Sequence, residues 1–119
     1  MFTFNHFNFN VLDLDRSLEF YDKALGLKPV RENHGDNFTL VYLGDDKTDF
    51  QLELTYLHDR KEPYELGELE YHLAITTDDM EASVKLHEEL DCIVFVNEGI
   101  GIYFIEDPDG YWIEIIPAK

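Results

Sequence analysis

A single cysteine, Cys92, rules out an intrachain disulfide in this 119-residue chain. That scarcity fits a reducing, cytoplasmic setting better than an oxidising one. Basic residues are also few: 9 Lys and Arg stand against 26 Asp and Glu, a formal charge of −17. A field of that sign repels phosphate backbones, so nucleic acid is a poor partner, as are large polyanions unless basic groups are gathered locally. No apolar run approaches the roughly 20 residues of a membrane span, and the first residues lack the basic-then-apolar order of a secretory signal. No membrane partner is therefore expected. What the chain does have is apolar material, 45% hydrophobic with 14% aromatic, which excludes disorder, and a length that suits one domain over residues 1–119.

Two halves of the sequence read alike. In the first, Phe7, Phe9 and Val11 alternate with His6, Asn8 and Asn10 inside Thr3–Val11, the period of a strand. Asp15 is read as an N-cap, followed by Leu18, Tyr21 and Leu25 at helical spacing and by Gly26 as the stop. Strands are expected at Leu27–Arg31, Phe38–Leu43 and Phe50–Leu57, the last preceded by the turn Gly44-Asp45-Asp46-Lys47. In the second half Glu70–Thr77 reads as a strand, Asp78 or Thr77 as a cap, and Met80–Leu90 as a helix. Strands at Cys92–Val96 and Ile102–Ile105 lead to the turn Asp107-Pro108-Asp109-Gly110 and a last strand at Tyr111–Ile116. The expectation is an α+β fold of two tandem βαβββ modules, about 1–57 and about 70–119, joined by a charged linker at about 58–69.

The repeat places chemistry at matching positions. His6 opens the first strand of one module and His72 that of the other; Glu53 and Glu114 sit mid-way along the two last strands. Each of the four lies on the more polar face of its strand, opposite residues such as Leu52, Leu54, Ile113 and Ile115. Two imidazoles and two carboxylates lining one surface are expensive to desolvate without a cation. A divalent ion relieves that cost, and the mixed N/O set of His6, Glu53, His72 and Glu114 suits an octahedral ion with two positions left for water or substrate. A lone strand His or Glu is more often a structural or solvated residue, and it is the pairing of the repeat that carries the metal reading. His34 and His58, placed in loops, and His87, on a helix, lack this symmetry and are read as non-ligands. Cys92 is read as core packing.

With these residues in place, the chain resembles the vicinal oxygen chelate superfamily, and within it the short bacterial glyoxalase I (lactoylglutathione lyase) branch. The resemblance runs through Asp13-Leu14-Asp15-Arg16-Ser17-Leu18-Glu19-Phe20-Tyr21 to Leu25-Gly26-Leu27. It continues in Leu52-Glu53-Leu54-Thr55-Tyr56, in Tyr64-Glu65-Leu66-Gly67 ahead of His72, and in Glu106-Asp107-Pro108-Asp109-Gly110-Tyr111 ahead of Glu114. It implies curved mixed sheets around a central metal site, with Ni(II) or Co(II) favoured and Zn(II) or Mn(II) as alternatives. It also implies a small-molecule substrate, the hemithioacetal of a 2-oxoaldehyde such as methylglyoxal, isomerised to a 2-hydroxyacyl thioester. From chemistry alone Glu53 and Glu114 are equivalent as bases; the resemblance puts Glu114 first and keeps both among the metal ligands. Two βαβββ units in this family pair within a chain or across a homodimer, so a homodimer is expected.

Three departures bear on the thiol. Asn10 and Leu57 stand where glutathione-using relatives carry Arg and Asn, the stretch Leu90 to Glu106 is short, and the acidic excess suits a doubly carboxylated cosubstrate poorly. Competing readings share the fold: an acyl-CoA epimerase, where Gln more often replaces Glu53; an extradiol dioxygenase, which needs only three ligands; and a non-enzymatic drug-binding protein of the bleomycin-resistance type.

Overall fold

The alternating stretches and acidic turns become one five-element pattern, used twice. In the computed structural model, which describes residues 1–119, the chain forms two compact units, Met1–Tyr64 and Glu65–Lys119. The first contains β1 (His6–Val11), α1 (Leu14–Leu25), β2 (Lys28–His34), β3 (Phe38–Gly44) and β4 (Gln51–Leu57). The second contains β5 (Leu73–Thr77), α2 (Met80–Glu89), β6 (Ile93–Asn97), β7 (Ile102–Glu106) and β8 (Trp112–Pro117). Each unit is one mixed four-stranded sheet, ordered β1-β4-β3-β2 and β5-β8-β7-β6. First and last strands pair in parallel and the rest antiparallel. A parallel pair needs a crossover between its strands, and the intervening helix and hairpin supply it. The expected α+β class and doubled βαβββ order are thus borne out.

The period-2 pattern sorts the faces. Phe9, Val11, Val41, Leu43, Leu52 and Leu54 are buried with Tyr21 and Ala24 of α1. In the second unit Tyr103, Ile105, Ile113 and Ile115 form the corresponding buried set. At roughly 25 cal/mol per Å² of apolar surface, burying a Leu or Ile contributes on the order of 2 kcal/mol, so these alternating positions fix the register.

Several boundaries move, each for a local reason. The cap of α1 is Asp13, not Asp15: its carboxylate accepts from Arg16 N at 3.1 Å, three residues on, while Asp15 falls in the first turn. The cap of α2 is Asp79, not Asp78 or Thr77, accepting from Ala82 N at 3.0 Å; Thr77 Oγ1 instead accepts from Asp79 N at 3.2 Å. Gly26 does end α1, at φ 67 in the left-handed region, with its N–H donating to Asp22 O. The first strand starts at His6 rather than Thr3, and β5 at Leu73 rather than Glu70, because each is an edge strand whose pairing with its only partner starts there, at Gln51 and Ile113. His72 therefore sits just ahead of its strand. His34 belongs to β2, paired with Thr39, and not to a loop, since the hairpin turn is confined to residues 35–37.

Acidic turns deliver the last strand of each unit. In the first, Asp45 accepts from Lys47 N and Thr48 N, at 3.0 and 2.9 Å. Burial pushes that carboxyl up, but the amides of Thr48 and Lys47 outweigh it and hold it below its ordinary value. In the second, buried Asp107 accepts from Asp109 N and Tyr111 N, both at 2.9 Å, and Gly110 takes the positive φ the turn requires. Asp107→Ala leaves two amides without their acceptor, and each carries a desolvation penalty of about 1–3 kcal/mol when unsatisfied. A drop in stability of that order, read as a lower urea midpoint at unchanged m-value, is the expected outcome.

Candidate metal and proton-transfer site

Strand alternation and the parallel pairing bring each His to its own Glu. In the first unit Asn8 lies beside Glu53 in the β1/β4 register, and His6, two residues earlier on the same face, reaches the same carboxylate. His6 Nε2 is 3.7 Å from Glu53 Oε1. In the second unit Ala74 lies beside Glu114, and His72, two residues before it, has Nε2 3.4 Å from Glu114 Oε1. The carboxylates are well shielded, at 13% and 20% side-chain exposure, and the imidazoles half-open, at 37% and 41%. Each pair therefore combines a shielded carboxylate oxygen with an accessible imidazole nitrogen.

Ring neighbours repeat the symmetry. Tyr42 is opposite Glu53 across β3/β4, and its ring meets His6 edge-on at 5.7 Å. Phe104 is opposite Glu114 across β7/β8, and its ring meets His72 edge-on at 5.0 Å. The pattern extends one strand further, to Arg31 beside Tyr42 and Phe95 beside Phe104, each just past a register shift in its edge strand. Imidazole tautomers follow from their partners. His6 Nδ1 is 2.6 Å from Asn5 Oδ1, so Nδ1 carries the proton and Nε2, the nitrogen facing Glu53, keeps its lone pair. An outer hydrogen bond of this kind is what orients a metal-binding histidine.

The donor types fit a divalent ion: an imidazole nitrogen and a carboxylate oxygen in each unit, 3.7 and 3.4 Å apart. The chain itself gathers no group of three or more His, Cys, Asp or Glu side chains able to hold an ion; each unit presents a pair.

The two pairs are unequal in their surroundings. The Glu53 carboxylate, beside Tyr42 across β3/β4, with burial behind that, holds the Tyr42 phenol above its ordinary value. The Arg31 guanidinium lies over the Tyr42 ring, 4.0 Å from its centroid. The Asn8 amide lies 2.9 Å from Glu53 Oε1 and 2.6 Å from Thr55 Oγ1. With the amide nitrogen facing the carboxylate, the Asn8 oxygen lies 2.7 Å from Asn10 Oδ1, so the Asn10 amide must turn with it and present its nitrogen. Around Glu114 the equivalent places hold Phe104, Ala74 and Phe95, with the Trp112 ring 5.4 Å from Phe104. The periodicity of the sequence carried this contrast in its residue identities, but only the cross-strand register shows which of them meet.

The residues set aside as non-ligands have other partners. His58 Nε2 is 2.9 Å from Thr39 Oγ1, His34 pairs with Glu32 at 3.2 Å, and His87 is buried with Nδ1 2.6 Å from the Tyr103 hydroxyl. Cys92 is buried as expected, and burial pushes its thiol up to about 11; burial likewise raises the Tyr103 phenol to about 12. Both groups stay protonated in the folded chain above the pH at which they ionise in an unfolded one. Their stabilising contribution is complete below about pH 9 and declines as pH climbs through 9 to 12. Cys92→Ala is expected to shallow the fall of the urea midpoint between pH 9 and 11, measured against the native chain.

Comparison with known proteins identifies the family. Residues 3–115 match the model of the Glyoxalase/Bleomycin resistance protein/Dioxygenase superfamily, and the chain belongs to that family. A probable lactoylglutathione lyase of Vibrio cholerae is 36% identical over 96% of this chain and 89% of its own length. The lactoylglutathione lyase of Haemophilus influenzae is 37% identical over 96% and 91%. Among solved structures, the trypanothione-dependent glyoxalase I of Leishmania major superposes with a TM-score of 0.86 at 35% identity, covering 98% of this chain and 87% of that one. The family and fold expected from the sequence are therefore confirmed.

Proposed function

We propose that the chain is a metal-dependent lyase of the glyoxalase I type, isomerising the hemithioacetal of a 2-oxoaldehyde to a 2-hydroxyacyl thioester. The observation that carries the reading is the repeated His–Glu pair, His6 with Glu53 and His72 with Glu114, in a chain whose relatives are lactoylglutathione lyases. His6 with Glu53, and His72 with Glu114, are the side chains that would hold a divalent ion, with Ni(II) or Co(II) favoured over Zn(II) or Mn(II). A bound ion supplies Lewis-acid polarisation of the two vicinal oxygens of the substrate.

The chain's own residues do the rest. His6 presents Nε2 because Asn5 fixes the other nitrogen. The Glu114 carboxylate takes the proton from C1 of the hemithioacetal and returns it to C2, so the reaction is a balanced isomerisation that consumes no oxidant or reductant. Phe104, Ala74 and Trp112 give that transfer an apolar surround, which limits proton exchange with water. The complete quartet supports the lyase over a drug-binding protein of the same family, and Glu53 supports it over a three-ligand dioxygenase.

The thiol remains a separate matter from the reaction. Asn10 and Leu57 supply no cation to a glutathione-like carboxylate, and the similar Leishmania major enzyme is trypanothione-dependent, so cosubstrates vary among such proteins. We infer a thiol with fewer carboxylates than glutathione, a cytoplasmic setting given the single buried Cys92, and a homodimer. Val94, Phe95 and Val96 on the edge strand β6, at 38%, 48% and 53% exposure, are the apolar surface a second copy covers. No helix is long and apolar enough to cross a membrane.

The decisive experiment removes metal with a chelator and follows thioester formation from methylglyoxal and a panel of thiols as Ni, Co, Zn and Mn are returned singly. Activity lost on chelation and restored by one ion is expected. General acid–base catalysis contributes about 10²–10⁴-fold, so Glu114→Gln should cut kcat by that range with metal content preserved. Tight metal binding without turnover of any hemithioacetal overturns the lyase assignment.

A further inference from the structure

Resting on the lyase reading, with His6 and Glu53 on the reacting face of the first unit, we infer that Arg31 is a specificity-determining residue that grips a carboxylate of the hemithioacetal. Arg31 reaches that face through a fault in its strand. Pro29 pairs with Leu43 and Arg31 with Tyr42, so Val30 is an extra residue in the β2/β3 ladder. In an unbroken ladder Val30 would stand beside Tyr42, and Arg31 would fall beside Val41 on the buried face. The bulge turns the guanidinium to the other side, into the row Arg31–Tyr42–Glu53–Asn8. The second unit has the same shift ahead of Phe95, so the backbone feature does not itself call for a cation.

In this place the guanidinium is held by its face and open at its rim. It lies over the Tyr42 ring, 4.0 Å from the centroid, and the His6 ring meets the same tyrosine edge-on at 5.7 Å. Stacking engages the flat of the guanidinium, so its N–H groups point outward in the fork that fits a carboxylate. The chain supplies no carboxylate to that fork. Glu32, next in sequence, faces the other way and pairs with His34 at 3.2 Å. The strands of this unit carry two basic residues; Lys28 is paired with Asp22, and Arg31 with no acid. A net charge of −17 repels anions elsewhere, so a local cation decides where one can bind. Adjacent strands are roughly 5 Å apart, so a guanidinium over Tyr42 stands about one strand to the side of Glu53. A carboxylate held there is a few bonds away from oxygens at His6 and Glu53, the span of a small carboxylated hemithioacetal.

The test reads selectivity. Metal-loaded wild type, Arg31→Gln and Arg31→Lys are assayed with three hemithioacetals. Methylglyoxal with mercaptoethanol carries no carboxylate, and methylglyoxal with mercaptoacetate carries one on the thiol. A 2-oxoaldehyde ending in a carboxylate, combined with mercaptoethanol, carries it on the aldehyde. Wild type should favour one of the two acids over the neutral compound, and the favoured one identifies the half that bears the carboxylate. A hydrogen bond to a charged group is worth about 10- to 100-fold in binding, so Arg31→Gln should reduce that preference by this factor, through KM and not kcat. Arg31→Lys should restore part of it, because an ammonium keeps the charge and loses the fork. A wild type that favours neither acid, or an Arg31→Gln that raises KM alike for all three compounds, overturns the inference and leaves the lyase standing. Binding is also read without turnover, from the Arg31 Nε–H resonance of the wild type titrated with mercaptoacetate, the oxo acid or mercaptoethanol. A shift with an acid alone, in a chain that turns over no hemithioacetal, overturns the lyase reading and leaves the carboxylate grip in place. No shift with either acid overturns the grip.

Discussion

The parallel pairing of first strand with last strand, β1 with β4 and β5 with β8, is the constraint on which the rest of each unit depends. It sets a histidine at the start of one strand diagonally against a glutamate mid-way along the other. The parallel pair requires a long crossover, and that crossover is the helix plus the antiparallel hairpin that complete the unit. The fold and the pairing of histidine with glutamate are therefore one requirement, met once in each half.

Duplication gives the two His–Glu pairs their symmetry, and the substitutions around them give each its own surroundings. The register rows Arg31–Tyr42–Glu53–Asn8 and Phe95–Phe104–Glu114–Ala74 are related place by place. One is polar throughout and the other apolar except for its carboxylate. A hydrogen-bonded carboxylate is held in charge and in direction, whereas a carboxylate among aromatic rings has few competing partners. Arg31 is the cation of one row and Phe95 its apolar counterpart in the other. An acidic chain with few cations makes that single guanidinium, stacked on Tyr42, more consequential than it would be on a basic surface.

Much of this was legible in the sequence, and the reasons are specific. Period-2 alternation through Phe7–Val11 and Gln51–Tyr56 marked strands and faces, because a one-residue slip moves every core side chain into water. Gly26 and the Asp107-Pro108-Asp109-Gly110 turn marked ends, because few residues adopt their backbone angles. The repeat itself drew His6 and Glu53 together with His72 and Glu114. The helix caps were misplaced by one or two residues where several acidic residues stood in a row. Asp13 and Asp15 differ only in which amide their carboxylates reach, and that is settled by the turn of the chain.

What the sequence determined by itself was the pattern: two like halves, their buried faces, and a histidine and a glutamate in each. Those follow from spacing, and spacing is local. Tertiary structure decided which side chains stand shoulder to shoulder across strands: Tyr42 and Asn8 at Glu53, Phe104 and Ala74 at Glu114. Cross-strand neighbours are set by a register that joins residues tens of positions apart, with bulges before Arg31 and Phe95 shifting it on the way. No local period encodes that alignment, and so the difference between two glutamates that look identical in the sequence belongs to the folded sheet.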